Sequence, residues 1–164
     1  TSFSRAWTEL GKSLPRPKAI LVVSAHWMTQ GTTLVDVSAM PKTIHDFYGF
    51  PQELYAQQYP AQGDPELART VASHHAEEDD TWGLDHGAWT VLKFLYPEAD
   101  VPVFQISIDM GRGLDHQLEI GRTLSDLRDR GKQVNPLGLS HRDGSGCGLS
   151  DIVKARVLPA LRRF

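Results

Sequence analysis

The sequence has few of the features that would place it outside the ordinary globular proteins. Its single cysteine, Cys147, excludes an internal disulfide and agrees with a cytoplasmic location. No run approaches the roughly 18 apolar residues of a membrane span, and no signal peptide is recognised at the start. A net charge of −3 gives no reason to expect nucleic acid or a membrane surface as a partner. Walker loops, Gly-x-Gly-x-x-Gly fingerprints and Gly-x-Ser-x-Gly elbows are also missing.

The charge is distributed unevenly along the chain. A length of 164 residues suits one domain with a sizeable core. Residues 132–164 hold six basic and two acidic side chains, for a local net charge of +4, together with four glycines. We therefore predict an α/β domain over residues 1–131, followed by a basic, glycine-rich tail over 132–164.

The stretch from Ala19 to Trp27 is the strongest structural signal. Five consecutive apolar residues, Ala-Ile-Leu-Val-Val, lead into Ser-Ala-His-Trp. Such a run is typical of a strand covered on both faces, as in a parallel sheet with helices on either side. In open α/β sheets ligands bind beyond the carboxyl ends of the strands, which makes His26 a candidate site residue. A histidine that only forms hydrogen bonds at a strand end is the structural alternative.

Residues 41–60 follow neither a helical nor a strand period. The segment contains several aromatic residues between prolines, with His45 and Asp46 near its centre. Long loops of this kind are usually functional or disordered, and the aromatic content argues against disorder. A packed surface loop with a turn at Asp46 is the structural alternative.

The segment Trp82–Trp89 reads Trp-Gly-Leu-Asp-His-Gly-Ala-Trp. Asp85 can cap a helix that runs from about His86 to Tyr96. His86 would then lie at the helix amino terminus beside a carboxylate, a position that suits a general acid/base and also a structural histidine.

The remaining periodic segments complete an α/β pattern, which we interpret as a mostly parallel central sheet flanked by helices. We predict a helix over 3–10 that stops at Gly11, a strand over 32–37, a helix that begins at Asp64-Pro65 and a strand over 101–109. A last helix is predicted over 115–130, with Leu118, Leu124 and Leu127 on its buried face. The adjacent His74 and His75, which acidic residues 77–80 follow, are interpreted as solvated.

Four blocks in order resemble a known family, the class III extradiol ring-cleavage dioxygenases of the LigB type, and within it the 4,5-DOPA extradiol branch. The blocks lie at residues 22–27, 43–51, 82–89 and 105–109, and read Val-Val-Ser-Ala-His-Trp, Thr-Ile-His-Asp-Phe-Tyr-Gly-Phe-Pro, Trp-Gly-Leu-Asp-His-Gly-Ala-Trp and Gln-Ile-Ser-Ile-Asp. The resemblance extends over about residues 3–131.

The resemblance implies a non-haem metal centre, with ferrous iron in active enzymes and zinc in some isolated proteins. This centre would bind a catechol such as DOPA and molecular oxygen, and open the ring beside the diol. It implies that His26 is a metal ligand and that His86 is the catalytic acid/base. It also implies that His45 and Asp46 lie in a substrate-lining segment. Imidazole ligands and a nearby base agree with that chemistry.

The chain also departs from the family pattern. Family members begin with a further strand and a Gly-His-Gly-Ser-Pro-like turn, and they continue beyond the matched blocks with more metal ligands. We therefore expect a domain that is incomplete relative to the family, with exposed apolar surface that favours self-association. Two alternatives stay open: a non-catalytic family fragment that acts as a binding or assembly module, and a zinc-dependent hydrolase-like protein.

Overall fold

The computed structural model describes residues 2–129 and 134–137. Five helices and five strands lie along this part of the chain. In order they are α1 Ser2–Ser13, β1 Ala19–Thr29, β2 Leu34–Asp36, α2 Gln52–Tyr55, α3 Pro65–His75, β3 Glu77–Asp79, α4 His86–Leu95, β4 Val103–Asp109, α5 Leu114–Asp129 and β5 Val134–Leu137.

The strands form one sheet in the order β3-β2-β4-β1-β5. β1 lies between β4 and β5 and runs parallel to both, and β2 runs parallel to β3. The two parallel groups join where β2 meets β4 in an antiparallel pairing of a single register pair, Val35 with Ile106. The side chain of Ser107 supports this junction by accepting a hydrogen bond from the Leu34 N–H at 2.8 Å. The predicted α/β fold with a mostly parallel sheet is confirmed.

Helices cover both faces of the sheet, as the unbroken apolar run of β1 predicts. Because side chains alternate along a strand, Ala19 and Leu21 enter one core with α3 and α5, and Ile20 and Val22 enter another with α4. All four are buried. The even-numbered face of β1 therefore leads toward α4 and, further along, toward Ser24 and His26.

The predicted helix starts at residues 64 and 85 are confirmed. Asp64 and Asp85 each accept a hydrogen bond from the backbone N–H three residues ahead, which satisfies a donor that the helix itself leaves free. The predicted strand over 101–109 is present as β4, and all seven of its residues are buried.

Two details of the predicted elements are wrong. α1 continues through Gly11, whose role is close packing: a Cβ there would lie 2.0 Å from the carbonyl oxygen of Leu95. Leu118 is 48% exposed, because α5 packs through Ile120 and Leu124, and a residue two positions before Ile120 lies about 200° around the helix from it.

Two other features were not foreseen from the sequence. The strand β5 pairs with β1 through residues beyond 131, and the loop at 41–60 contains the single-turn helix α2. The boundary of the basic tail at 132 stays a prediction. Most of the tail, including Cys147, lies outside the described residues.

None of the helices in the described ranges is long and apolar enough to cross a membrane.

The core that α4 forms with β1 should dominate the stability of the fold. Leu92 is fully buried in this core, whereas Leu118 on α5 is half-exposed. Leu92→Ala is expected to lower the free energy of unfolding by about 2–5 kcal/mol, because it removes buried methyl groups and leaves a cavity. Leu118→Ala, the same substitution on a helix surface, should cost less than about 1 kcal/mol. Urea denaturation of both variants measures the difference, and equal losses would contradict the assignment of this core.

Candidate metal centre

His26 reaches the carboxyl edge of the sheet from β1. It lies on the face of the strand that packs against α4, two residues beyond Ser24, and its backbone N–H donates to the Ser24 hydroxyl at 3.2 Å. The pairing of β1 with β4 is irregular between Val23 and Met28, so the strand departs from its regular register where the imidazole projects. The His26 side chain is 41% exposed, and a ligand can reach it from solvent.

The start of α4 is fixed by the buried carboxylate of Asp85. One oxygen accepts from the Ser24 hydroxyl at 2.8 Å and from the Ala88 N–H at 3.2 Å. The other oxygen accepts from the Gln105 amide at 2.9 Å. Asp85 therefore joins α4 to both β1 and β4. His86, the next residue, is held at the same sheet edge as His26.

Asp46 is brought to this edge by the aromatic loop. The loop pairs with the segment before α4, where the Ile44 N–H donates to the Leu84 carbonyl at 2.7 Å. The indole N–H of Trp89, on α4, donates to the Ile44 carbonyl at 2.8 Å. Two residues further along, the Asp46 carboxylate accepts from the backbone N–H of His86 at 2.9 Å.

His26, Asp46 and His86 form one compact group. Each residue offers one ligand atom, and these atoms lie within 4.8 Å of one another. The Asp46 carboxylate lies between the two imidazoles: one oxygen is 2.9 Å from Nδ1 of His86, and the other is 3.4 Å from Nδ1 of His26. The two rings are 4.0 Å apart between centroids.

The surroundings of Asp46 favour its charged form. Burial raises the pKa of the carboxyl group, but the backbone N–H and the imidazole of His86 lower it by more, and the net effect is a pKa below the usual value. Nδ1 of His86 is buried close to this carboxylate without the alignment of a hydrogen bond. Two imidazoles and one carboxylate are a ligand set that suits non-haem iron(II), and also zinc.

His45 lies outside this group. One of its ring nitrogens, Nε2, is 2.8 Å from the carbonyl oxygen of Gln57. Its ring packs 5.8 Å from that of Phe47 and 5.6 Å from that of Trp89. Phe47 also meets His86 edge-on, with centroids 5.4 Å apart. The structure thus brings together His26, Asp46 and His86, and places His45 in an aromatic cluster beside them.

The sequence drew attention to the wrong carboxylate beside His86. Asp85 is adjacent in sequence, but its side chain turns into the core, and the partner of the His86 imidazole is Asp46, forty residues earlier. The sequence indicated Gly87 only as a position that permits tight backbone, and its contact with His26 was not predicted. A Cβ at this position would lie 2.7 Å from Cδ2 of His26, so only glycine lets that ring pack against α4. The order Asp-His-Gly at the predicted start of a helix could have indicated a close contact at Gly87. Nothing in the neighbouring sequence links Asp46 to His86.

Comparison with known proteins places this geometry in a family. Residues 2–142 match the family described as the catalytic LigB subunit of aromatic ring-opening dioxygenase, and the chain belongs to this family. The resemblance inferred from the four sequence blocks is confirmed.

Individual relatives carry more specific names. Over 134 residues the chain is 48% identical to a 4,5-DOPA dioxygenase extradiol of Escherichia coli K12, covering 79% of this chain and 49% of that protein. It is 40% identical over 151 residues to a 4,5-DOPA dioxygenase extradiol of Beta vulgaris, covering 88% and 56%. A crystal structure of an uncharacterized Escherichia coli K12 protein superposes with a TM-score of 0.62 at 42% identity, covering 79% and 49%. The chain thus spans about half the length of these relatives.

The contact between Gly87 and His26 predicts an effect on metal affinity. Gly87→Ala would push its Cβ into the His26 ring and the Ser24 hydroxyl, which should displace the imidazole from the group. We expect zinc affinity, measured by isothermal titration calorimetry on metal-free protein, to fall by about 10- to 100-fold, as for other changes that disturb ligand orientation.

The control is Gly11→Ala, which creates a more severe clash, with the Leu95 backbone, at the opposite end of α4, about 13 Å along the helix from His86. This variant should lose stability while its folded fraction retains zinc affinity. Equal loss of affinity in both variants would show that general destabilisation, and not the His26 contact, is responsible.

Proposed function

We propose that this chain acts in metal-dependent extradiol ring opening, with ferrous iron as the metal and a catechol such as DOPA and molecular oxygen as substrates. The observation that carries the proposal is the group of His26, Asp46 and His86 at the carboxyl edge of the sheet, in a member of a ring-opening dioxygenase family. The names of the relatives support the choice of an extradiol reaction on DOPA.

His26 is the proposed metal ligand. Its imidazole is partly exposed at the sheet edge, and its backbone is held by Ser24, so it offers a nitrogen from a fixed support. Bound ferrous iron supplies the Lewis acidity and the redox chemistry that ring opening with oxygen requires.

His86 is the proposed acid/base. A catechol hydroxyl has to lose a proton when it binds a metal, and an imidazole accepts and returns protons near neutral pH. The His86 imidazole lies beside the His26 imidazole, and its Nδ1 faces Asp46. Nε2 is therefore the ring nitrogen that exchanges the proton.

The aromatic loop is the proposed substrate wall. The rings of Phe47 and His86 are nearly perpendicular, and Phe47 also packs with Phe50 and Tyr55. Flat apolar surfaces of this kind suit an aromatic ring. His45 and Asp46 belong to the same wall, His45 through the aromatic cluster and Asp46 at the polar group.

A cytoplasmic location and self-association are further proposals. Self-association is supported by several large apolar side chains that are exposed on the described surface: Met28, Met110, Leu114 and Leu118.

The first test is oxygen consumption by anaerobically iron-loaded protein. With DOPA we expect about one retained iron per chain, oxygen uptake and a yellow ring-opened product. Resorcinol is the matched control substrate, because its two hydroxyls are not adjacent and cannot both bind one metal. Retained iron without oxygen uptake, or no retained iron, would overturn the proposal that this chain catalyses the reaction by itself.

Two variants separate the proposed residue roles. His26→Ala should lose the metal, measured by elemental analysis after gel filtration. His86→Gln should retain the metal, while the rate of oxygen uptake falls by about 10²- to 10⁴-fold, as expected for loss of an acid/base. The exposed His74, changed to Ala, is the control and should have no effect on either quantity. Loss of metal in His86→Gln would make His86 a ligand instead.

A further inference from the structure

We propose that Asp46 is a positioning residue, whose carboxylate keeps the proton of both imidazoles on Nδ1 and leaves Nε2 of His26 and of His86 as the nitrogens with a free lone pair. The value of this arrangement for catalysis rests on the proposed function. The arrangement itself belongs to the metal-free chain and can be measured there.

The geometry at His86 fixes its tautomer. Nδ1 is buried 2.9 Å from an Asp46 oxygen. A neutral imidazole carries its proton on one nitrogen and a lone pair on the other. A lone pair on Nδ1 would face the negative oxygen at close range, and the resulting repulsion is strong in a poorly solvated site. A proton on Nδ1 turns the same approach into an attraction, so the protonated nitrogen is Nδ1.

His26 is subject to the same constraint from the other carboxylate oxygen. Its Nδ1 lies 3.4 Å from that oxygen, so the attraction is weaker than at His86 but has the same sign. Because one carboxylate faces both rings, a single side chain sets both tautomers.

Asp46 is itself held rigidly enough to act in this way. Its carboxylate accepts the backbone N–H at the start of α4, so it is attached to the residue whose ring it orients. The loop that carries it is fixed by the hydrogen bonds of Ile44 to Leu84 and Trp89. Asp85 does not compete for the imidazoles, because Ser24, Ala88 and Gln105 occupy its oxygens.

The two free Nε2 atoms match the proposed roles. A histidine binds a metal through an unprotonated nitrogen, and the other N–H commonly donates to a carboxylate that fixes the ring. At His86, the proton that leaves the catechol hydroxyl is accepted by Nε2, and the resulting imidazolium is stabilised by Asp46. In hydrolases with a Ser-His-Asp triad, a carboxylate supports a histidine base in the same way.

The test is the protonation pattern of the imidazoles in metal-free protein, read from long-range proton–nitrogen NMR spectra of histidine-labelled chain. In the wild type we expect a protonated Nδ1 and an unprotonated Nε2 at both His26 and His86. The exposed His74 serves as the internal reference for an unconstrained ring.

Two substitutions make the test specific. In Asp46→Asn, an oxygen can still accept from the His86 backbone, so the fold and the His86 tautomer should persist. The amide NH₂ of Asn then faces Nδ1 of His26. Because an NH₂ group donates, Nδ1 has to accept, and the proton of the His26 ring should move to Nε2. Zinc affinity should fall by about 10- to 100-fold. In Asp46→Ala, both rings should lose their preference and resemble His74.

Asp80→Asn, which changes an exposed carboxylate, is the matched control and should alter neither ring. Unchanged tautomers in Asp46→Ala would overturn the inference. If zinc affinity falls in Asp46→Asn while both tautomers stay as in the wild type, Asp46 is a direct ligand and not a positioning residue. Failure of oxygen uptake with the expected tautomers present would overturn the proposed function and leave the role of Asp46 intact.

Discussion

The site depends most on the hydrogen bonds that the buried carboxylate of Asp85 accepts. The carboxylate accepts three hydrogen bonds, from the first turn of α4, from β1 through Ser24 and from β4 through Gln105. A buried carboxylate without partners would cost several kcal/mol, whereas a hydrogen bond to a charged group contributes about 1.5–3 kcal/mol. The carboxylate therefore requires all three elements to meet in one arrangement. His26 and His86 owe their proximity to that requirement.

The aromatic loop shows how a segment without regular structure can still be well defined. Its backbone groups are satisfied by the segment before α4 and by the Trp89 indole, and its rings pack on one another around Phe47. Functional residues commonly lie on loops that a rigid scaffold positions, and α4 with the segment before it positions this loop. Asp46 reaches both imidazoles for that reason.

Local patterns in the sequence were sufficient to predict the elements that depend on neighbours in the chain. The β1 run and the caps at Asp64 and Asp85 each carry their own signal, and the structure confirms them. The short edge strands β3 and β5 carry too few residues for a period to be recognised, and they form because a parallel neighbour is available. His26 and His86 were identified as candidates from their places at a strand end and a helix start. The partnership of Asp46 with them depends on contacts across twenty residues to His26 and forty to His86, which no local sequence pattern spans.

The junction between β2 and β4 divides the sheet unevenly. β1 pairs with β4 and with β5 through several parallel register pairs each. β2 joins β4 through one register pair and a hydroxyl of Ser107 that takes the place of a backbone acceptor. Backbone pairing between the strands on either side of this junction is therefore sparse, although Val35 of β2 shares a buried core with Leu21 of β1 and Phe104 of β4. Amide hydrogens of β2 and β3 should exchange with solvent through a partial opening that leaves β4 protected, and with it β1, the strand that carries His26.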